Sequence, residues 1–156
     1  MEIIIRRATE NDAKKIFEWR NDLDSIAMSL SSKIIDWKTH EKWYDLALND
    51  QNTLITICES KSLPFQEIGM VRFNFTPIKK NATVSINLNP EARGNSLGHY
   101  CLKASISYAK KTKKNLSRII ADIKKENIAS IKTFEKAGFD FLEIPSKESL
   151  RYVYKL

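Results

Sequence analysis

Residues 90–98 read Pro90-Glu-Ala-Arg93-Gly94-Asn95-Ser96-Leu97-Gly98. Before them, Thr83-Val-Ser-Ile-Asn-Leu-Asn89 alternates polar and apolar residues, the pattern of a half-buried strand that Pro90 ends. After them, apolar residues fall at Leu97, Cys101, Ala104 and Tyr108, with Tyr100 beside them. That spacing predicts a helix of about four turns, and lysines at its far end suit the negative pole of its dipole. A strand, a short glycine-bearing turn and a helix start gather unpaired N–H groups at one point. The first N–H groups of a helix have no internal partner and carry about half a positive charge. Such a place takes a phosphate or pyrophosphate, and Arg93 would set a cation at its mouth. The same spacing also suits an ordinary strand-to-helix turn that uses glycine for shape. It is not a Walker A loop, because no Gly-Lys-Ser/Thr follows, and the G-x-G-x-x-G spacing of dinucleotide folds is absent.

Upstream, the isoleucine-rich residues 2–7 read as a strand. Thr9-Glu-Asn-Asp12 has the form of a capping box, and Ala13, Ile16, Phe17 and Arg20 follow at helical spacing with Trp19 alongside. Residues 21–35 are polar and show no pattern that assigns them. A second helix begins near Asp36 or Thr39, carries Trp37, His40, Trp43 and Tyr44, and ends at Asn49-Asp50. Residues 53–59 and 68–75 are β-branched and aromatic and read as strands. A hairpin loop over 61–66 joins them, Pro77 closes the second, and 79–81 make the next turn. Downstream, residues 118–123 form another strand. Asn127 caps a helix whose inner face is Ile128, Ile131, Phe134 and Ala137, and Gly138 supplies its left-handed end. Residues 139–144 and 151–154 close the chain as two strands. The order β-α-α-β-β-β-α-β-α-β-β predicts an α/β (α+β) domain with a mixed sheet. Neighbours are antiparallel across short links and parallel across strand–helix–strand crossovers.

The chain of 156 residues has the size of one domain, taken as 1–156. Its 42% hydrophobic and 29% charged residues are a globular composition, which excludes wholesale disorder. No apolar run is long enough for a membrane span. The start, Met-Glu-Ile-Ile-Ile-Arg-Arg, lacks the h-region of a signal peptide, so a cytoplasmic location is expected. Cys58 and Cys101 lack disulfide or metal spacing and read as reduced core thiols, and no metal is expected. The net charge of +7 favours an anionic partner without choosing among nucleotide, nucleic acid and membrane surface.

On a strand-to-helix turn, Pro90-x-x-Arg93-Gly-x-x-x-Gly98 resembles motif A of the GNAT superfamily of N-acetyltransferases. Further on, Asn127-Ile-Ala-Ser130-Ile-Lys132-Thr-Phe134-Glu-Lys-Ala-Gly138-Phe139 is similar to the family's motif B. The resemblance covers nearly the whole chain. It implies a mixed sheet of about seven strands with helices on both faces, whose fourth and fifth strands splay apart after Ile86 and Arg118. It implies acetyl-coenzyme A as cosubstrate. Arg93, Gly94, Asn95, Ser96, Leu97 and Gly98 would hold its pyrophosphate through backbone N–H groups. Leu88 and Asn89 would pair with its pantetheine arm like an added half-strand, and Asn127 would hydrogen-bond the same arm. Ser130 and Phe134 belong to the same cofactor side, and Lys132 would lie near the 3′-phosphate. Two positions depart from the pattern. Ser96 replaces the motif's middle glycine, so it must tolerate the turn's geometry. Phe134 stands where a tyrosine often protonates the leaving thiolate; Tyr100 and Tyr108 are candidate substitutes.

Acetyl transfer needs a neutral amine near the thioester and a group to take its proton. Asp122 sits five residues before Asn127, where some ribosomal-protein N-acetyltransferases carry a glutamate base. Ser85 and Asn87 share one face of the central strand and are candidates to act through a water. His99 follows Gly98 and is a candidate phosphate neighbour. Trp19-Arg20-Asn21-Asp22 and His40-x-x-Trp43-Tyr44 resemble the enzymes that acetylate amino sugars on nucleotide carriers in pseudaminic- and legionaminic-acid pathways. Arg20 and His40 would then meet a nucleotide phosphate, and Trp43 or Tyr44 would stack on a sugar or base. The same aromatic residues also fit plain core positions. The expected partner is a small-molecule amine, with no nucleic acid and no membrane, and a homodimer is a further expectation. The rival acceptor is a protein N-terminus. From other classes, a coenzyme-A sensor without turnover and a basic nucleic-acid-binding module remain.

Overall fold

Thr53–Glu59 (β2) is buried along nearly its whole length, on both sides. Such a strand must lie inside a sheet covered on both faces. It pairs antiparallel with Ile4–Arg7 (β1) and with Glu67–Thr76 (β3), and β3 pairs antiparallel with Asn81–Leu88 (β4). Arg118–Lys124 (β5) lies parallel to β4. The last strand, Ser149–Lys155 (β7), inserts between β5 and Asp140–Glu143 (β6) and runs antiparallel to both. The seven strands are thus ordered β1-β2-β3-β4-β5-β7-β6, the mixed sheet that the element order predicts. In this computed structural model residues 2–62, 64, 66–76, 78 and 80–156 are described. The expected 61–66 loop, the Pro77 strand stop and the 79–81 turn fall partly or wholly outside them.

Five helices cover the sheet: Ala13–Arg20 (α1), Leu23–Met28 (α2), Trp37–Asn49 (α3), Gly98–Thr112 (α4) and Ile128–Ala137 (α5). On one face, Leu97, Cys101, Leu102 and Ile106 of α4 and its start, with Phe134 of α5, meet Leu54, Phe73, Ala82 and Ile119. On the other, Ile16, Trp19, Tyr44 and Ala47 of α1 and α3 meet Ile55, Ile57 and Met70. Each large apolar side chain so buried contributes about 1.5–3 kcal/mol relative to leaving it exposed. Cys58 and Cys101 are free and buried, as the sequence predicts. Among the described residues no helix is long and apolar enough to cross a membrane.

The patternless stretch 21–35 contains α2. None of its six residues is buried, and a segment this short carries too few apolar positions for a period to announce it. Polar bonds hold it instead. Asp22 caps its start by accepting from the Asp24 N–H at 3.2 Å. Ser25 Oγ donates to Asn87 Oδ1 on β4 at 3.2 Å. At the other end, Lys124 Nζ on β5 donates to Ala27 O at 2.9 Å and to Ser32 Oγ at 3.3 Å. The helix therefore ties β4 to β5 from outside the sheet.

The first strand is locked to the first helix by Asp12. Arg6 on β1 forks onto Asp12 through two 2.7 Å bonds and reaches Glu59 at 2.6 Å. The Thr9 N–H donates to Asp12 Oδ2 at 2.8 Å, which completes the predicted capping box. Burial pushes the Asp12 carboxyl up, but the bonds from Arg6 and Thr9 outweigh it and hold its pKa down at about 2. An unfolded aspartate titrates near ~3.9. Ionised Asp12 therefore contributes fully above about pH 4 and loses its contribution as pH falls toward 2. Asp12→Asn is expected to destabilise the fold by about 2–3 kcal/mol at pH 7 and by progressively less below pH 4. Urea unfolding at pH 7 and pH 2.5 measures this, and an equal cost at both values would contradict it.

Candidate active site

Only three residue pairs join β4 to β5: Asn81↔Arg118, Ala82↔Ile119 and Thr83↔Ile120. Beyond them β4 continues on β3 alone, and β5 on β7 alone. The splay is present, but it opens from Val84 and Ala121, earlier on β4 and later on β5 than expected. Asn89 N–H bonds Ile68 O on β3 at 2.9 Å. Backbone groups alternate sides along a strand, so Leu88 and Ile86 turn theirs toward the gap. Of the expected pair, Leu88 alone turns its backbone toward the gap, where its carbonyl accepts from Arg93 at 3.4 Å. The Asn89 carbonyl accepts from the Ala92 N–H at 2.8 Å, and its side chain bonds Glu67 O at 2.9 Å and the Glu91 N–H at 3.1 Å. Asn89 thus shapes the Pro90–Ala92 turn. A gap bordered by unpaired edges of β4 and β5 can accept an extended ligand by strand addition.

The loop beside the gap has left-handed backbone at Gly94 (φ +78°) and Ser96 (φ +55°). Such kinked backbone is where successive N–H groups converge on an anion. Among the described residues nothing lies within 4 Å of where a Gly94 Cβ would stand, so they leave open space before the loop. Ser96 does adopt the turn's geometry, at a cost of about 1–2 kcal/mol that glycine would avoid. α4 starts at Leu97 with no capping side chain, so its first N–H groups have no side-chain partner. Gly98 also has a packing duty, since a Cβ there would stand 2.7 Å from Thr133 Cγ2 of α5.

Arg93 does not stand at the loop's mouth as a free cation. Its guanidinium bonds Asp22 Oδ2 at 2.5 Å and Ser25 Oγ at 2.5 Å, and it reaches Leu88 O at 3.4 Å. The half-buried Asp22 carboxylate captures it, and the pair holds Asp22's pKa below the usual range. Asn127 caps α5, its Oδ1 accepting from the Ser130 N–H at 3.1 Å, which leaves its amide NH₂ for other partners. Lys132 is exposed on α5. Phe134 is only 3% exposed and packs edge-on against Phe139 in the core, so it offers little surface to a cofactor.

On the α1–α3 face, register places Ser85 opposite Arg72 of β3 and Asn87 opposite Met70. Trp43 and Arg20 are half-buried there. His40 is not on the cleft wall. It is 1% exposed, its Nε2 bonds Ala13 O at 2.9 Å, and Phe17, Trp37, Trp43 and Tyr44 surround its ring. Burial pushes its pKa down, so it stays neutral and cannot meet a phosphate as a cation. Tyr44 is equally buried and donates to Thr9 O at 2.6 Å, so it is a core residue and not a stacking face. Asp122 is exposed, with both oxygens held by Arg151 at 2.7 and 2.9 Å. Arg151 also reaches Glu143 at 3.0 Å. Tyr100 is exposed on α4 beside His99, with ring centroids 4.0 Å apart, and Tyr108 packs on the core. Sequence reasoning missed Arg72, whose guanidinium lies 5.2 Å from the Trp43 ring centre. A charge inside the apolar run of β3 was the available signal. Among the described residues no cluster of three or more His, Cys, Asp or Glu is arranged to hold a metal.

A protein of Methanocaldococcus jannaschii described as uncharacterized is 29% identical over 146 residues. That match takes in 88% of this chain, which spans only 28% of the relative's length. Among solved structures, a domain from the same organism aligns with a TM-score of 0.82 at 21% identity, covering 99% of both chains. Spermidine N-acetyltransferase from Vibrio cholerae, in complex with CoA and spermine, gives 0.85 at 17% identity, covering 98% of this chain and 95% of that one. An aminoglycoside acetyltransferase in complex with coenzyme A gives 0.81 at 18% identity, covering 99% and 95%. At such identities these structures share the fold. The family model described as acetyltransferase (GNAT) domain matches residues 2–140. That span takes in every element from β1 to the first residue of β6, and the chain therefore belongs to the GNAT acetyltransferase family.

Proposed function

We propose that the chain moves the acetyl group of acetyl-coenzyme A onto the primary amine of a 4-amino sugar carried on a nucleotide. The observation that carries the transfer is the parting of β4 and β5 beyond Thr83 and Ile120, beside a helix start without a capping side chain. The residues present fit the donor. The loop Gly94 to Gly98, with open space where a Gly94 Cβ would stand, would give its N–H groups to a pyrophosphate, the Leu88 and Ile86 edge would take the pantetheine amides, and the Asn127 NH₂ would take another. Lys132 supplies a cation for the 3′-phosphate. The donor supplies an activated thioester, whose thiolate is a good enough leaving group to depart without a proton from Phe134.

The chain's remaining task is to take one proton from the attacking amine. Asp122 is the charged candidate, but protonating it would break the two-pronged bond from Arg151. Ser85 and Asn87 sit on the α1–α3 face beside the gap and support a water in the same role. The acceptor reading rests on charge as well. Spermidine and aminoglycosides, named for two structural neighbours, are polycations. Here the aspartates beside the cleft already have partners, Asp22 with Arg93 and Asp122 with Arg151. Arg20 has no acidic partner among the described residues, and that suits an anionic acceptor.

Three outcomes follow. In a thiol-release assay, a 4-amino-sugar nucleotide is expected to be turned over at least tenfold faster than spermidine, an aminoglycoside or a peptide N-terminus; preference for any of these overturns the acceptor reading. Gly98→Asp in a Thr133→Ala background, which relieves the packing clash, is expected to weaken coenzyme A binding at least tenfold in calorimetry; unchanged affinity counts against the loop. Asp122→Asn is expected to lower kcat only a few-fold. A loss of about 100-fold, with the acidic limb of the pH profile gone, would assign the proton to Asp122 instead.

A further inference from the structure

Arg72 stands at the centre of β3, between Val71 and Phe73, which face the α4–α5 core. Alternation turns its side chain to the opposite face, where its guanidinium lies 5.2 Å from the Trp43 ring centre. Its Nε is sealed from solvent and has no hydrogen-bond partner among the described residues. Burial lowers Arg72's pKa, and the positive charge of half-buried Arg20 on α1 lowers it further. No acid pairs with either arginine among the described residues. Asp12, Asp22, Asp122, Glu59 and Glu67, by contrast, are each taken by another cation. Burying an unpaired guanidinium donor costs free energy that folding alone does not return. The Arg20 charge repels that of Arg72, and an anion bound beside them would relieve both costs.

We propose that Arg72, set over the Trp43 ring and assisted by Arg20, is the anchor for a phosphate group of the acceptor and selects anionic acceptors over polycationic ones. This rests on the acceptor reading above and names the residue that enforces it. The position suits the reaction. Arg72 is paired with Ser85 on β4, the strand whose far edge lines the gap. Strands lie about 4.8 Å apart, so a phosphate at Arg72 sits roughly two strand spacings from the gap, ~10 Å, the span of a sugar and its linkage. The planar guanidinium offers a fixed fork to phosphate oxygens, and the Trp43 face keeps that fork from swinging. An added cation, such as a polyamine, meets two like charges instead.

The test uses the whole chain saturated with coenzyme A, so that the donor loop is filled. Uridine diphosphate, inorganic pyrophosphate and spermidine are titrated in a calorimeter against the unaltered chain, Arg72→Gln, Arg72→Lys and Arg20→Gln. The unaltered chain is expected to bind both phosphates and not spermidine. Arg72→Gln is expected to weaken both phosphates at least tenfold with coenzyme A affinity unchanged, which also shows that the variant is folded. Arg72→Lys, which keeps the charge but not the fork, is expected to fall between, and Arg20→Gln to weaken binding by less than Arg72→Gln. If the unaltered chain binds neither phosphate, or binds both as tightly after Arg72→Gln, the anchor is overturned. If Arg72→Gln loses its coenzyme A affinity, Arg72→Lys decides: phosphate binding equal to that of the unaltered chain overturns the anchor, and a loss supports it. Turnover separates the two readings. Phosphate bound through Arg72 with no acetylation of a 4-amino-sugar nucleotide leaves the anchor standing and removes the sugar. Acetylation of that sugar at equal KM in Arg72→Gln and the unaltered chain does the reverse.

Discussion

Parallel strands that hydrogen-bond over three residue pairs and then separate leave main-chain donors and acceptors facing a gap inside the sheet. Backbone groups left dry and unpaired cost free energy, so such a gap persists only where each strand is held firmly from its other side. That condition is met here. β4 keeps an unbroken antiparallel ladder with β3 up to Leu88, and β5 keeps one with β7 up to Lys124. Inserting β7 between β5 and β6 gives β5 this second support. In the proposed reading, donor and acceptor enter by the two mouths of the resulting opening.

Charge is sorted around that opening. Arg6, Arg93 and Arg151 are neutralised by Asp12, Asp22 and Asp122 and serve as fasteners between distant segments. On the α1–α3 face, Arg20 and Arg72 have no acidic partner among the described residues. The excess of seven positive charges in the chain is therefore more than a solvated surface. Part of it lies half-buried, where it is screened least and discriminates between partners most.

Local chemistry made much of this legible in the sequence. The alternation of 83–89, the glycine and proline punctuation of 90–98 and the capping signals at Asn127 and Gly138 each act within a few residues, and the structure repeats them. What stayed hidden depends on residues far apart in the chain. Arg93 meets Asp22 across 71 positions, which no local pattern announces. His40 lies on an amphipathic helix, where a buried histidine and a cleft histidine look alike until the surrounding rings are known. The place of β7 in the sheet is decided by pairing register and not by its own residues. Arg72 looks like an interruption of a strand until Trp43 is found against it.

The helix α2 buries nothing and is fastened by side-chain bonds from Arg93, Asn87 and Lys124. Its own composition is consequently unconstrained by either core. Apart from Ser25, whose hydroxyl holds Asn87 and Arg93, evolution is free to rewrite residues 23–28 while every packed layer beneath keeps its shape. A lineage adapting to a new amine would find in this segment an exchangeable brim, altered without disturbing the machinery that grips the donor.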